Sequence, residues 1–201
     1  VNITADATLP GGLGTFGWDD EGVPAQRVDI VREGLFVGYL TDRETARQLL
    51  RLLGPSPYVT GQSNGTARAS GWNRIPMIRM TNVNLLPGTW KLADLIADTD
   101  RGVFMDTNRS WSIDDRRLNF QFGCEIAWEI RGGKLTRMLR NPIYTGITPD
   151  FWRSCDAVCD ADHWVLWGTP NCGKGEPMQV GHTGHGASPA RFRNVRVFGK
   201  Q

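Results

Sequence analysis

The sequence predicts an α+β fold rich in β-structure, built mostly of antiparallel strands and hairpins with a few short helices. Three observations carry that expectation. Leu118, Phe120 and Phe122 alternate with Asn119 and Gln121. The apolar pattern then runs on to Ile130, and Gly132-Gly133 turns the chain into 134–139, as a hairpin requires. Glycine (24 residues) and proline (11) together make about one residue in six, which implies frequent turns. Eight tryptophans are available as large aromatic fillers for the core of a 201-residue chain, which is long enough to bury one.

Taken in order, 25–31 and 35–40 read as two strands around Arg32-Glu33-Gly34, where Gly34 can adopt the positive φ of a tight turn. Asp42 is placed as the N-cap of a helix reaching Leu53, with Ala46, Leu49, Leu50 and Leu53 at helical spacing and Gly54-Pro55 as its stop. Residues 57–73 have no periodicity and read as a long loop. A strand follows over 76–86, then a short helix capped by Thr89 and carrying Leu92, Leu95 and Ile96. Residues 149–158 read as another short helix, 168–188 as a glycine-rich loop, and 190–198 as a closing strand. No internal repeat and no dividing linker is visible, so residues 1–201 read as one domain. Val1 in place of methionine suggests a fragment of a longer protein.

Composition narrows the function. With 23 Lys and Arg against 21 Asp and Glu, the net charge of +2 lacks the basic surplus of a dedicated nucleic-acid binder. No apolar run approaches the roughly 20 residues of a membrane-spanning helix. The four cysteines are too sparse for a disulfide framework, which points to reduced thiols and a cytoplasmic setting. Gly11-Gly12-Leu13-Gly14 and Gly173-Lys174-Gly175 match neither phosphate-loop nor dinucleotide spacing, and the G-x-S-x-G elbow of many serine hydrolases is absent.

Metal chemistry has more support. Cys155-x₃-Cys159-x₃-His163 offers sulfur and nitrogen donors at close spacing, although a Cys155/Cys159 pair on one helical turn is more often plain packing. Cys172 stands apart in Asn171-Cys172-Gly173-Lys174-Gly175, a polar setting with little to pack against, where Lys174 favours a thiolate. It is either a reactive or metal-ligating sulfur or an inert loop residue, and His182 and His185 either join it or are solvated. Asp19, Asp20 and Glu21 read as a solvated acidic turn. Arg79, Met80, Thr81 and Asn82 place a cation and hydrogen-bonding groups near a strand end, able to grip a peptide backbone or to satisfy local loop groups.

Several of these segments, in this order, resemble the C-terminal domain of the TldD/PmbA family, named for modulators of DNA gyrase and including zinc peptidases. They are residues 14–26, the stretch GLFVGYLTDRETA at 34–46, residues 68–87 with RMTNVNLLPG (79–88) as the most distinctive stretch, Cys172-Gly173-Lys174-Gly175, Val180-Gly181 and the terminal Phe198-Gly199. The likeness covers nearly the whole chain, and the cysteine loop fits the TldD-type branch.

The resemblance implies a zinc peptidase acting on peptides held extended in a dimer chamber and paired to a sheet edge. Zinc would sit between two histidines of an upstream HExxxH helix and a C-terminal cysteine, here Cys172. The HExxxH glutamate would act as general base on the metal-bound water. Arg79, Met80, Thr81 and Asn82 would line the peptide channel. Partners would be a second copy or a TldD–TldE-type heterodimer mate, with no nucleic acid and no membrane. Since no HExxxH occurs in these 201 residues, the chain alone is expected to be inactive and metal-free. The alternative is a non-catalytic TldE-like partner subunit that shapes substrate binding.

Overall fold

The computed structural model describes residues 1–200. The first part of the chain forms β1 (Ile3–Asp6), β2 (Arg27–Arg32), β3 (Leu35–Phe36), α1 (Arg43–Leu53), β4 (Ala67–Arg68), β5 (Met77–Ile78) and β6 (Asn82–Leu85). Next come α2 (Leu92–Ala97) and three long strands, β7 (Arg101–Ile113), β8 (Asn119–Arg131) and β9 (Lys134–Ile147). The remainder is α3 (Thr148–Arg153), β10 (Cys155–Val158), a 3-10 turn (Ala161–His163), β11 (Val165–Lys174), β12 (Gln179–Ala187), β13 (Ala190–Phe192) and β14 (Arg196–Lys200). This is the β-rich α+β fold that the alternation predicts.

The described residues divide into two compact units, each assembled from two chain segments: Val1–Leu86 with Trp164–Ser188, and Pro87–His163 with Pro189–Gln201. Because the chain passes between units at several places, no single linker marks the division. The first unit holds a six-stranded sheet in the order β11-β12-β6-β1-β2-β3, with a small β4–β5 ladder. Its contacts are antiparallel except where β12 meets β6 in parallel, at Gly184 opposite Asn82. The second unit holds the antiparallel sheet β14-β9-β8-β7 and the pair β10–β13.

Local chemistry explains the elements that the sequence makes plain. Gly132 and Gly133 both have positive φ, 54° and 73°, in the two-residue turn between Arg131 and Lys134. At the start of α1, the Asp42 carboxylate accepts from Thr45 N at 2.7 Å while Asp42 N donates to Thr45 Oγ1 at 3.1 Å, closing a reciprocal cap. The helix itself is less buried than its pattern suggests. Ala46 packs inward, whereas Leu52 is 78% exposed and Leu53 is also exposed.

Several expectations need correction. The strand read over 35–40 ends at Phe36, and that over 76–86 is interrupted between β5 and β6. The N-cap of α2 is Lys91, not Thr89. The helix read over 149–158 stops at Arg153, and Cys155 begins a strand. The closing segment breaks between Phe192 and Arg196 into two strands. The glycine-rich stretch 168–188 is not a loop but most of the β11–β12 hairpin. The tryptophans are not mainly core fillers, because Trp18, Trp72, Trp111 and Trp167 are all more than half exposed. Phe120, Phe122, Tyr144, Phe151 and Phe192 fill that role in the second unit, with Phe151 stacked on Phe192 at 3.9 Å between centroids.

Candidate functional site

Cys172 lies in the first unit on β11, the outermost strand of the six-stranded sheet. Thr169 faces Thr183 and Cys172 faces Gly181, so β11 spends three steps where β12 spends two. The resulting bulge around Pro170 and Asn171 puts Thr169 and Cys172 on one face of the hairpin, which strict alternation would forbid. The sulfur is free and half-buried.

Arg79 anchors this hairpin from beneath. Its guanidinium donates through Nη1 to the carbonyl of Gln179 at 3.0 Å and through Nη2 to the carbonyl of Cys172, bridging β12 and β11. Gly181 makes the space, since a Cβ there would stand 2.9 Å from Arg79 Nη2. The guanidinium is buried, so two carbonyls replace the water it gives up. Lys174 donates from Nζ to the Ile78 carbonyl at 2.6 Å, and burial together with the charge of Arg79 lowers its pKa.

Asn82 is fully buried in the middle of the sheet. Its Oδ1 accepts from Gly14 N at 2.9 Å, and its Nδ2 donates to the Asp6 carbonyl at 2.6 Å and to Thr15 Oγ1 at 2.8 Å. A Cβ at Gly12 or Gly184 would overlap this carboxamide and one at Gly14 the Thr81 backbone, so these are close-approach positions, whereas Gly11 and Gly175 have the positive φ of turn glycines. Thr81 is buried beside it, and its carbonyl accepts from Gly184 N at 3.1 Å. Of the four residues Arg79, Met80, Thr81 and Asn82, Met80 alone is exposed.

The histidines separate. His185 Nε2 lies 3.0 Å from Thr183 Oγ1, and burial lowers its pKa. His182 is exposed, and its carbonyl accepts from Arg68. His163 belongs to the second unit, where Nδ1 pairs with Asp160 at 2.8 Å. Cys159 is also there, fully buried with Leu95, Ala157, Trp90 and Leu92, as a small apolar residue. Cys155 and Cys159 do not share a helical turn. The acidic turn is likewise corrected: Asp19 is buried and accepts from Glu21 N, Val23 N and Ala67 N.

Among the described residues no group of three or more His, Cys, Asp or Glu is placed to hold a metal ion. A zinc shell of four donors therefore does not fit the described residues by themselves. Gln179 and Asp19 are structural anchors that sequence reasoning misses. Gln179 is joined to a segment more than a hundred positions away, a pairing without local signature.

Residues 1–199 match the family described as the PmbA/TldA metallopeptidase C-terminal domain. The chain is 33% identical to a metalloprotease of Methanocaldococcus jannaschii over 92% of its own length and 38% of that protein's. It is 30% identical to a metalloprotease TldD homolog of Haemophilus influenzae, covering 89% of this chain and 35% of the relative. The fold is shared with TldE from Thermococcus kodakarensis at a TM-score of 0.71 and 19% identity, over 98% of this chain and 39% of that one. The chain thus spans well under half the length of the proteins it resembles.

Proposed function

Because the chain belongs to the PmbA/TldD metallopeptidase family, we propose that it is the C-terminal part of a TldD-type zinc-dependent peptidase, contributing Cys172 as one metal ligand. The observation that carries this reading is the placement of Cys172. A β-bulge aims it, and a buried guanidinium fixes its backbone on an outer strand. Bulges of this kind re-aim side chains at working sites. The remaining ligands and the general base would come from polypeptide beyond these 201 residues, so the chain alone would bind no metal tightly and cleave nothing.

In this reading the peptide lies extended along the hairpin, with Arg79, Thr81 and Asn82 holding the channel wall in shape and Met80 presented at its surface. The assembly would be a homodimer or a TldD–TldE-type pair. Four free cysteines support a reducing, cytoplasmic setting, and no helix of the described residues is long and apolar enough to cross a membrane. A TldE-like, non-catalytic partner subunit is the second reading, and the presence or absence of an HExxxH segment in the full-length protein separates the two.

The test is Cys172→Ala in the protein that carries this domain, read by zinc content and peptide cleavage together. Losing a direct ligand should lower both by more than the roughly 10- to 100-fold that an outer partner costs. The fold should survive with its β-sheet circular dichroism preserved, since Arg79 holds the Cys172 backbone, while the thermal midpoint falls by the stabilisation that the bound metal gives the wild type. Zinc and cleavage retained at wild-type levels would return Cys172 to the inert class, and a wild-type protein with neither would favour the partner-subunit reading.

A further inference from the structure

The small β4–β5 ladder pairs Ala67 with Ile78 and Arg68 with Met77, and closes a loop over 69–76. This loop is fixed at both ends. Ser70 N donates to Gln179 Oε1 at 2.9 Å, Gln179 Nε2 donates to the Ile75 carbonyl at 2.9 Å, and Ala69 N donates to Asp20 Oδ2 at 2.6 Å. Gln179 is itself buried, so both ends are tied to the hairpin two positions beyond the Cys172–Gly181 pair. Inside the loop, Arg74 N closes a turn onto the Gly71 carbonyl at 3.0 Å.

What the anchored loop displays is apolar. Trp72 is 99% exposed and Ile75 is 84% exposed. A fixed loop that holds a whole indole in water forgoes the burial energy of one of the largest apolar side chains. The apolar strip continues on the hairpin, where Met178 is exposed and packs over Gly173, the residue after Cys172. A Cβ on Gly173 would come 3.0 Å from the Met178 sulfur.

Charge accompanies the strip. Arg74 and Lys174 are exposed, and neither has a carboxylate at ion-pair distance among the described residues. Arg68 and Arg79 add positive charge behind them. On the acidic side, Glu176 stands at the hairpin tip, Asp20 is engaged by Ala69 N, and Asp42 lies near enough to Lys174 to act on its charge. The balance is cationic.

We propose that the loop 69–76 is a recognition finger for peptides that present a bulky apolar side chain beside an acidic group, with Trp72 and Ile75 meeting the side chain and Arg74 and Lys174 the charge. The proposal rests on the peptidase reading for its peptide ligand and names the substrate class that reading leaves open. Trp72 and Arg74 are specificity residues, not catalytic ones.

The experiment measures binding of short fluorescein-labelled peptides by anisotropy, with Phe-Glu, Phe-Lys or Ser-Glu at the centre of one neutral background. The wild-type protein should prefer Phe-Glu to each of the others. Trp72→Ser should weaken Phe-Glu binding about tenfold, the scale of an anchoring aromatic, and Arg74→Glu should turn the preference toward Phe-Lys. Both side chains are exposed and hold nothing else, so unchanged thermal midpoints are expected for the two variants. Equal binding of Phe-Glu by wild type and Trp72→Ser overturns the proposal. So does a Trp72→Ser protein that shifts from dimer to monomer in sedimentation while binding peptide normally, since a second copy would then cover the loop. Binding can be lost in Trp72→Ser while Cys172→Ala keeps its zinc and its cleavage; the finger then stands and the metal-ligand reading falls. The reverse pattern separates them the other way.

Discussion

At the scale of single residues, the polar groups of RMTN are joined to the backbone by side-chain geometry that no spacing encodes. Asn82 satisfies a buried N–H from Gly14 and a half-buried carbonyl from Asp6, both far from it in sequence. The sequence marks the residue as a hydrogen-bonding group near a strand end, but it does not say which partners fold against it. Asn82→Ala would leave the buried Gly14 donor and the half-buried Asp6 acceptor without this partner, and each unmade bond costs about 1–3 kcal/mol. The expected loss of stability is therefore about 3 kcal/mol, read from the shift in urea midpoint at constant slope. A loss under about 1 kcal/mol would mean that water reaches these groups and that Asn82 does not fasten the sheet. Cys172 shows the same limit. Its isolation in a polar stretch is legible, whereas the bulge that aims it and the arginine that holds its carbonyl depend on register.

At the scale of elements, legibility follows the reason for each glycine. Gly132 and Gly133 turn the chain, and their neighbours alternate, so β8 and β9 can be read directly. The glycines of β11 and β12 are there for close approach: Gly168 against Leu13, Gly181 against Arg79, Gly184 against Asn82 and Gly186 against Trp164. Those positions erase the apolar alternation, and a strand dense in glycine looks like a loop until its neighbours are known. β1 and the whole of β7 escape notice for a related reason, since neither carries a sustained alternating apolar face. The helix α1 is the easiest to place because its start is written locally. Removing that signal in Asp42→Ala should cost about 1 kcal/mol, seen as a lower thermal midpoint with β-sheet circular dichroism preserved. Thr45→Ala should reproduce part of the loss, because the cap is reciprocal; no change in either variant would show that tertiary contacts alone hold the helix.

At the scale of the molecule, the first unit carries a buried histidine as well as the lowered carboxylate of Asp42, the second a set of lowered carboxylates, and acid should begin to open the first unit before the second. In the first unit, burial keeps the His185 pKa below its ordinary value of 6.5, against a smaller opposing hydrogen bond involving Val83. The unfolded chain binds a proton there before the folded one does, so this contribution to stability is lost as pH falls below 6.5. In the second unit four carboxylates sit below their usual range. Lys91 and then His163 hold Asp160 at about 2, Arg191 and Arg193 lower Asp156, Arg131 and Arg137 lower Glu129, and the Asn119 side chain and backbone lower Asp114. Groups with depressed carboxylate values stabilise the fold above the unfolded pKa, near 4, and lose that effect as pH falls through their folded values. Hydrogen exchange read by mass spectrometry, corrected for intrinsic rates, should therefore show protection around β12 beginning to fall as the pH drops below 6.5. The strands β7, β8 and β9 should hold until the pH is below about 4. Raising the salt should flatten the second step, because its ion pairs are largely exposed and screened, and leave the first unchanged. His185→Asn should remove the first step while sparing the second. Simultaneous opening of both units at one pH, or an undiminished first step in that variant, would show that these groups do not set the acid response.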